Sequence, residues 1–152
     1  LRLYSGIRGA DFLAYKSLMV FQVTGTGGVD AKAIPKNGVG DKKTALAWLE
    51  EKQYGKVYVM FGINELGYGD DQAFQDAFAL LIDEIRVRQP EAVIYIQSVM
   101  ADDSGTLPAE GTTDGIHFTR SWYEKWYGYL KTHTVDPEAY RAGQGQAEGT
   151  EA

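Results

Sequence analysis

The order of elements in this chain, a buried-type strand, an amphipathic helix and a second buried-type strand, predicts an α/β fold with a largely parallel sheet. Two segments carry the strand signal: Lys56 to Phe61 (Lys-Val-Tyr-Val-Met-Phe) and Val93 to Val99 (Val-Ile-Tyr-Ile-Gln-Ser-Val). Both are continuous apolar runs rich in β-branched and aromatic residues, as a strand covered on both faces requires. Between them Phe74, Ala77, Phe78, Leu81, Ile82 and Ile85 fall on one helical stripe, wide enough to lie on a sheet. A strand returned through a helix to a parallel partner is the unit of open α/β sheets, whose ligands bind beyond the carboxyl ends of the strands.

The remaining elements follow in chain order. Gly9 to Val23 is apolar and aromatic and reads as a short strand, or as an extended segment with a turn near Lys16 and Ser17. Thr24 to Asp41 holds Gly25, Gly27, Gly28, Pro35, Gly38 and Gly40 without an apolar period, which predicts a loop with hairpin character. Ala45, Leu46, Trp48 and Leu49 sit at helical spacing, so a helix is expected over 42–53 with Gly55 as its C-terminal cap. Asp70 or Asp71 can cap the central helix, Glu84 and Arg88 stand at the favourable four-residue spacing, and Pro90 stops it. Residues 102–115 form a turn-rich loop. A last helix begins at Thr119 or Ser121, where Ser121 and Glu124 have capping-box spacing, and ends before Pro137. Its Trp122, Trp126 and Leu130 could in principle stack on a sugar, but aromatic residues at helical spacing read as core. Residues 141–152 have no large apolar side chain to bury, giving a domain over 1–140 and a flexible tail over 141–152.

Composition narrows the function classes. The 152 residues are enough for one domain with a core, and no apolar run approaches the ~20 residues of a membrane span. A net charge of -6 argues against nucleic acid as a partner. With no cysteine, disulfides, thiolate zinc sites, iron–sulfur clusters and cysteine nucleophiles are closed. No cofactor is expected. Gly38-Val39-Gly40-Asp41-Lys42-Lys43-Thr44 lacks the glycine before lysine that a phosphate loop needs, and Gly25-Thr26-Gly27-Gly28-Val29-Asp30 breaks the dinucleotide fingerprint at its third glycine.

Two loops carry chemistry. Gly62-Ile63-Asn64-Glu65-Leu66-Gly67 follows the first buried strand. Glycines such as Gly62 let the backbone turn sharply, and an asparagine at a strand's carboxyl end can aim its amide N–H at a developing oxyanion. Taken alone, Gly-x-Asn is more simply a loop asparagine satisfying its own backbone. The second loop is Thr113-Asp114-Gly115-Ile116-His117-Phe118. A carboxylate three residues before a histidine, across a glycine, can hold one ring nitrogen while the other faces a substrate as general base. A satisfied loop histidine, or an Asp/His metal pair, is the competing reading; a metal would want further ligands, and the other histidine, His133, lies at the far end of a helix.

In this order the two loops resemble the SGNH hydrolases, the GDSL-like lipase and acylhydrolase family. The likeness covers most of the chain: Val-Tyr-Val-Met-Phe-Gly-Ile-Asn-Glu, the long helix, Val-Ile-Tyr-Ile-Gln, then Leu-Pro, Asp-Gly-Ile-His and a Trp-rich helical end. It implies a flavodoxin-like three-layer α/β/α sandwich, Asn64 as oxyanion donor supported by the Gly62 turn, and Asp114 and His117 as triad members. It also implies a small-molecule carboxylic ester as substrate, such as an acetylated carbohydrate or a short acyl ester. Glu65 stands where the family more usually has aspartate.

The departures concern the nucleophile. The family opens on a strand leading to Gly-Asp-Ser, and this text begins where the text after that motif would begin, so the nucleophile block is expected upstream of Leu1. Of Ser5, Ser17, Ser98, Ser104 and Ser121 none stands in such a turn. The glycine of the family's second block corresponds to Ser17 or to one of Gly25, Gly27 and Gly28. Near Met100 the family inserts a helix and a strand that this text lacks. The competing expectation is a non-catalytic binding or scaffold domain of the same fold.

Overall fold

A computed structural model describes residues 9–65, 68, 70–97, 108–112, 114 and 117–147, with side chains up to 143. The chain forms two compact units, one of Asp11–Ser98 with Asp136–Ala152 and one of Leu1–Ala10 with Val99–Val135. Its mixed α/β character agrees with the sequence.

The first unit begins with α1 (Val20–Thr24), ended by Gly25 at φ +71, whose N–H donates to the Phe21 carbonyl at 2.8 Å. The expected turn near Lys16 and Ser17 is present, with Ser17 at φ +54, but the residues after it form a helical turn instead of a strand, which buries Val20, Phe21 and Val23 together. Strands β1 (Ala33–Pro35) and β2 (Lys42–Thr44) pair antiparallel, Ala33 opposite Thr44, and realise the expected hairpin. Helix α2 is therefore only Ala45–Leu49, not 42–53. The physical reason is Thr44, whose Oγ1 accepts the Ala47 N–H at 3.2 Å and fixes the helix start after the strand. Gly55 does not cap α2; its carbonyl accepts the Val93 N–H at 3.0 Å, opening the parallel pair.

Strands β3 (Lys56–Met60) and β4 (Val93–Gln97) pair in parallel, Tyr58 opposite Tyr95. Contrary to what their apolar runs predict, the two strands are not covered on both faces: Val59 is buried, but Tyr58, Met60 and Ile96 are exposed, Ile96 at 61%. Tyr58 and Tyr95 stack on each other at 4.7 Å, which shields part of each ring without covering it. Residues 98 and 99, expected to continue β4, lie outside the described residues. Helix α3 (Asp71–Arg88) joins the strands. Asp70 Oδ1 accepts the Ala73 N–H at 2.7 Å as its cap, and Ala77, Leu81 and Ile85 of the expected stripe are buried. The core forms where α3 meets α1, α2 and the strands, around Phe21, Ile34, Trp48, Leu49, Val59 and Leu81. The fully buried Gln89 closes its lower end: its Oε1 accepts the Tyr54 N–H at 2.8 Å, and its Nε2 donates to the carbonyls of Leu49 and Lys52. Helix α5 (Pro137–Ala147) belongs to this unit, and the segment read as a tail from residue 141 begins inside it.

In the second unit, helix α4 (Arg120–Thr132) carries the aromatic residues. Thr119 is its N-terminal cap residue, so the expected Ser121–Glu124 box is not the helix start; the Ser121 hydroxyl instead meets that of Thr119 at 3.2 Å. Trp126 is buried, as a core residue should be. Gly111 lies against the Trp122 ring so closely that a Cβ there would sit 2.7 Å from Cε2.

Candidate active site

Asp114 and His117 lie between two residues that the backbone brings together. Thr112 and Phe118 form an antiparallel bridge, and the Thr119 N–H donates to the Gly111 carbonyl at 2.8 Å, so both ends of this short stretch are fixed at the foot of α4. Asp114 Oδ1 accepts the His117 backbone N–H at 2.8 Å, the local fold-back that Asx side chains favour. Its other oxygen, Oδ2, lies 2.6 Å from His117 Nδ1. A neutral imidazole donates through Nδ1–H to this carboxylate, which leaves the Nε2 lone pair to accept a proton. The pair is open to solvent, with 73% of the histidine and 49% of the aspartate side chain exposed. Surface pairs of this kind contribute only about 0–1 kcal/mol to stability.

The other loop is built differently. Gly62 takes φ +126, a conformation open to glycine, as the sequence expectation of a sharp turn required. Asn64 does not satisfy its own backbone: its Nδ2 donates to the Leu18 carbonyl at 3.0 Å, using one of its two N–H groups. The next residue, Glu65, is 6% exposed, with both carboxylate oxygens on main-chain donors. Oε1 accepts the Val20 N–H at 2.5 Å and Oε2 accepts the Gly62 N–H at 3.0 Å. The loop that carries Asn64 is thus sewn to residues 18–20 by two hydrogen bonds and closed on itself by a third.

Sequence reading placed Glu65 as a neutral exchange for aspartate and missed this role. The available signal was an acid inside an otherwise apolar and glycine-rich loop, where an unpartnered carboxylate is costly to bury. Ser17, one candidate for the second-block position, holds the left-handed φ +54 directly before Leu18; Gly25, Gly27 and Gly28 also take positive φ, so conformation does not separate them. Gly62 and Asn64 belong to the first unit, Asp114 and His117 to the second. Of the five serines, Ser17 and Ser121 are described and neither follows a Gly-Asp pair; Ser5, Ser98 and Ser104 lie outside the described residues.

Among the described residues no group of three or more His, Asp or Glu side chains is gathered as metal ligands. No helix among them is long and apolar enough to cross a membrane. No family model, no curated protein and no solved structure matches this chain.

Proposed function

We propose that this chain is part of an SGNH-type serine acylhydrolase, with a flavodoxin-like three-layer α/β/α fold, that hydrolyses carboxylic esters such as short acyl esters or acetylated carbohydrates. The observation that carries the reading is the 2.6 Å contact between Asp114 Oδ2 and His117 Nδ1, together with the backbone bond that orients the aspartate. In this reading His117 Nε2 takes the proton from a serine hydroxyl as that oxygen attacks the ester carbonyl, then returns it to the departing alcohol. Asp114 holds the ring in the required tautomer and stabilises the imidazolium. The second N–H of Asn64 donates to the carbonyl oxygen as it gains negative charge, a contribution typically worth about 10²–10³ in rate. The reading requires a serine nucleophile in a Gly-Asp-Ser turn, which none of the five serines of these 152 residues provides.

A second reading, a binding or scaffold domain of the same fold without its chemistry, is favoured by one observation: the Asn64 amide already has a main-chain acceptor in Leu18. Hydrolysis of p-nitrophenyl acetate separates the two. The 152-residue chain turns over near background under either reading. A form extended upstream through a Gly-Asp-Ser block turns over under the first only, and His117→Ala in that form lowers its rate by at least about 10³-fold. An extended form that stays at background sinks the esterase reading.

A further inference from the structure

Helix α3 begins directly after the Asn64 loop, at the carboxyl end of β3, the side on which open α/β sheets bind ligands. Along its first turns small side chains replace large ones on the face toward α1: Ala73 and Ala77 leave room that the longer Leu80 bounds from one end. Opposite them the chain at Gly27 is bare for a steric reason, since a Cβ there would lie 2.8 Å from the Phe21 ring and φ is +66. The result is a pocket of about 260 Å³, floored by the Phe21 ring and walled mostly by carbon. Its polar groups sit at Thr26 and Asp76, and the Asp76 carboxylate already accepts from Gln72 Nε2 at 2.7 Å.

The pocket adjoins the candidate oxyanion donor along the chain. Asn64 donates to the carbonyl of Leu18, three residues before Phe21, a span of at most about 11 Å even if extended. Phe21 also packs at 5.6 Å from Tyr68, which follows the same loop. The acceptor of the Asn64 amide and the ring that lines the pocket thus belong to one short segment, residues 18–21.

We infer that this pocket receives the acyl chain of the ester substrate, an inference that rests on the esterase reading and sharpens it to uncharged esters of medium-chain or aromatic acids. Three features select that class. Among the described residues no cation lines the pocket, and Asp76, which does line it, disfavours an anionic chain end. The walls offer apolar contact without buried polar partners, which suits hydrocarbon. The volume is below the roughly 300–1,000 Å³ of sites for drug-sized molecules and above the ~150 Å³ that holds a benzene ring. At about 30 Å³ per small group, the pocket fills at roughly eight carbons.

The test needs no turnover. Methyl esters from acetate to decanoate are titrated into the 152-residue chain, following the Ala73 and Ala77 methyl signals and the Asn64 side-chain amide by NMR. Affinity should rise roughly two- to fourfold per added methylene and level off near eight carbons. Ala73→Leu, which fills the pocket, and Leu80→Ala, which removes a partly exposed wall and leaves the core alone, should each weaken the octanoate ester at least roughly fivefold with acetate unchanged. Shifts of the pocket methyls without the Asn64 amide would keep the pocket as a hydrocarbon site and overturn its role as an acyl pocket, with the esterase reading failing at Asn64. Shifts of the Asn64 amide without chain-length dependence, or octanoate binding untouched in both variants, would overturn the pocket and leave the esterase reading standing.

Discussion

Glu65 exchanges two main-chain N–H groups from different parts of the chain for the two oxygens of one carboxylate, and at 6% exposure water cannot replace either bond. Glu65→Gln keeps the size but turns one acceptor into a donor facing an N–H, so we expect a loss of about 1–3 kcal/mol, read as a lower urea midpoint with the same slope. An unchanged midpoint would show that the carboxylate is not needed there. The contrast with Asp114 and His117 explains what was legible at this scale. That pair is three residues apart, its geometry is local, and its spacing alone announced it. Val20, one of the two partners of Glu65, and Leu18, the partner of Asn64, lie 45 and 46 residues away, where no pattern of neighbouring residues reaches.

At the scale of elements, α3 was legible almost to its ends because every local signal agreed: an aspartate cap, one apolar stripe, a favourable ion pair and a proline stop. The segment 42–53 was not, because Lys42–Thr44 takes its conformation from pairing with Ala33–Pro35, a choice made by a partner strand. Val20–Thr24 is too short for its period to speak, and its buried face is set by α3. Gln89 shows the same blindness: a polar residue beside Pro90 reads as a helix end, yet it joins α2, Tyr54 and α3 in the core. Gln89→Leu fits the volume but strands one N–H and two carbonyls, and should cost about 2–4 kcal/mol in thermal or denaturant unfolding. A loss under about 0.5 kcal/mol would mean that water or a shift of α2 restores those partners.

For the whole molecule the net charge of -6 makes acid the informative perturbation. Asp11, whose side chain is only 19% exposed, receives Lys52 at 2.7 Å, the Asn37 amide at 3.0 Å and the Tyr54 hydroxyl at 2.8 Å. Lys52, then Asn37 and Tyr54, hold its carboxyl far below the usual carboxylate range. A carboxyl depressed on folding stabilises the fold above its unfolded value and releases that contribution as pH falls. Stability should therefore decline from about pH 4 downward, and Asp11→Asn should flatten that part of the profile; equal slopes in both chains would exclude Asp11 as its source. Desolvation, and then Asp11 itself, push the Tyr54 phenol upward, so the hydroxyl stays a donor through neutral pH. The stitch between residues 18–20 and 64–65 has a consequence in time. Closing a loop of 45 residues costs about 3 kcal/mol in chain entropy beyond a constant, so contacts of this span form after the local helix and hairpin. Weakening Glu65 should then speed the unfolding limb of a chevron and leave the refolding limb nearly where it was, which would place the Asn64 loop among the late-assembled and early-released parts of its unit.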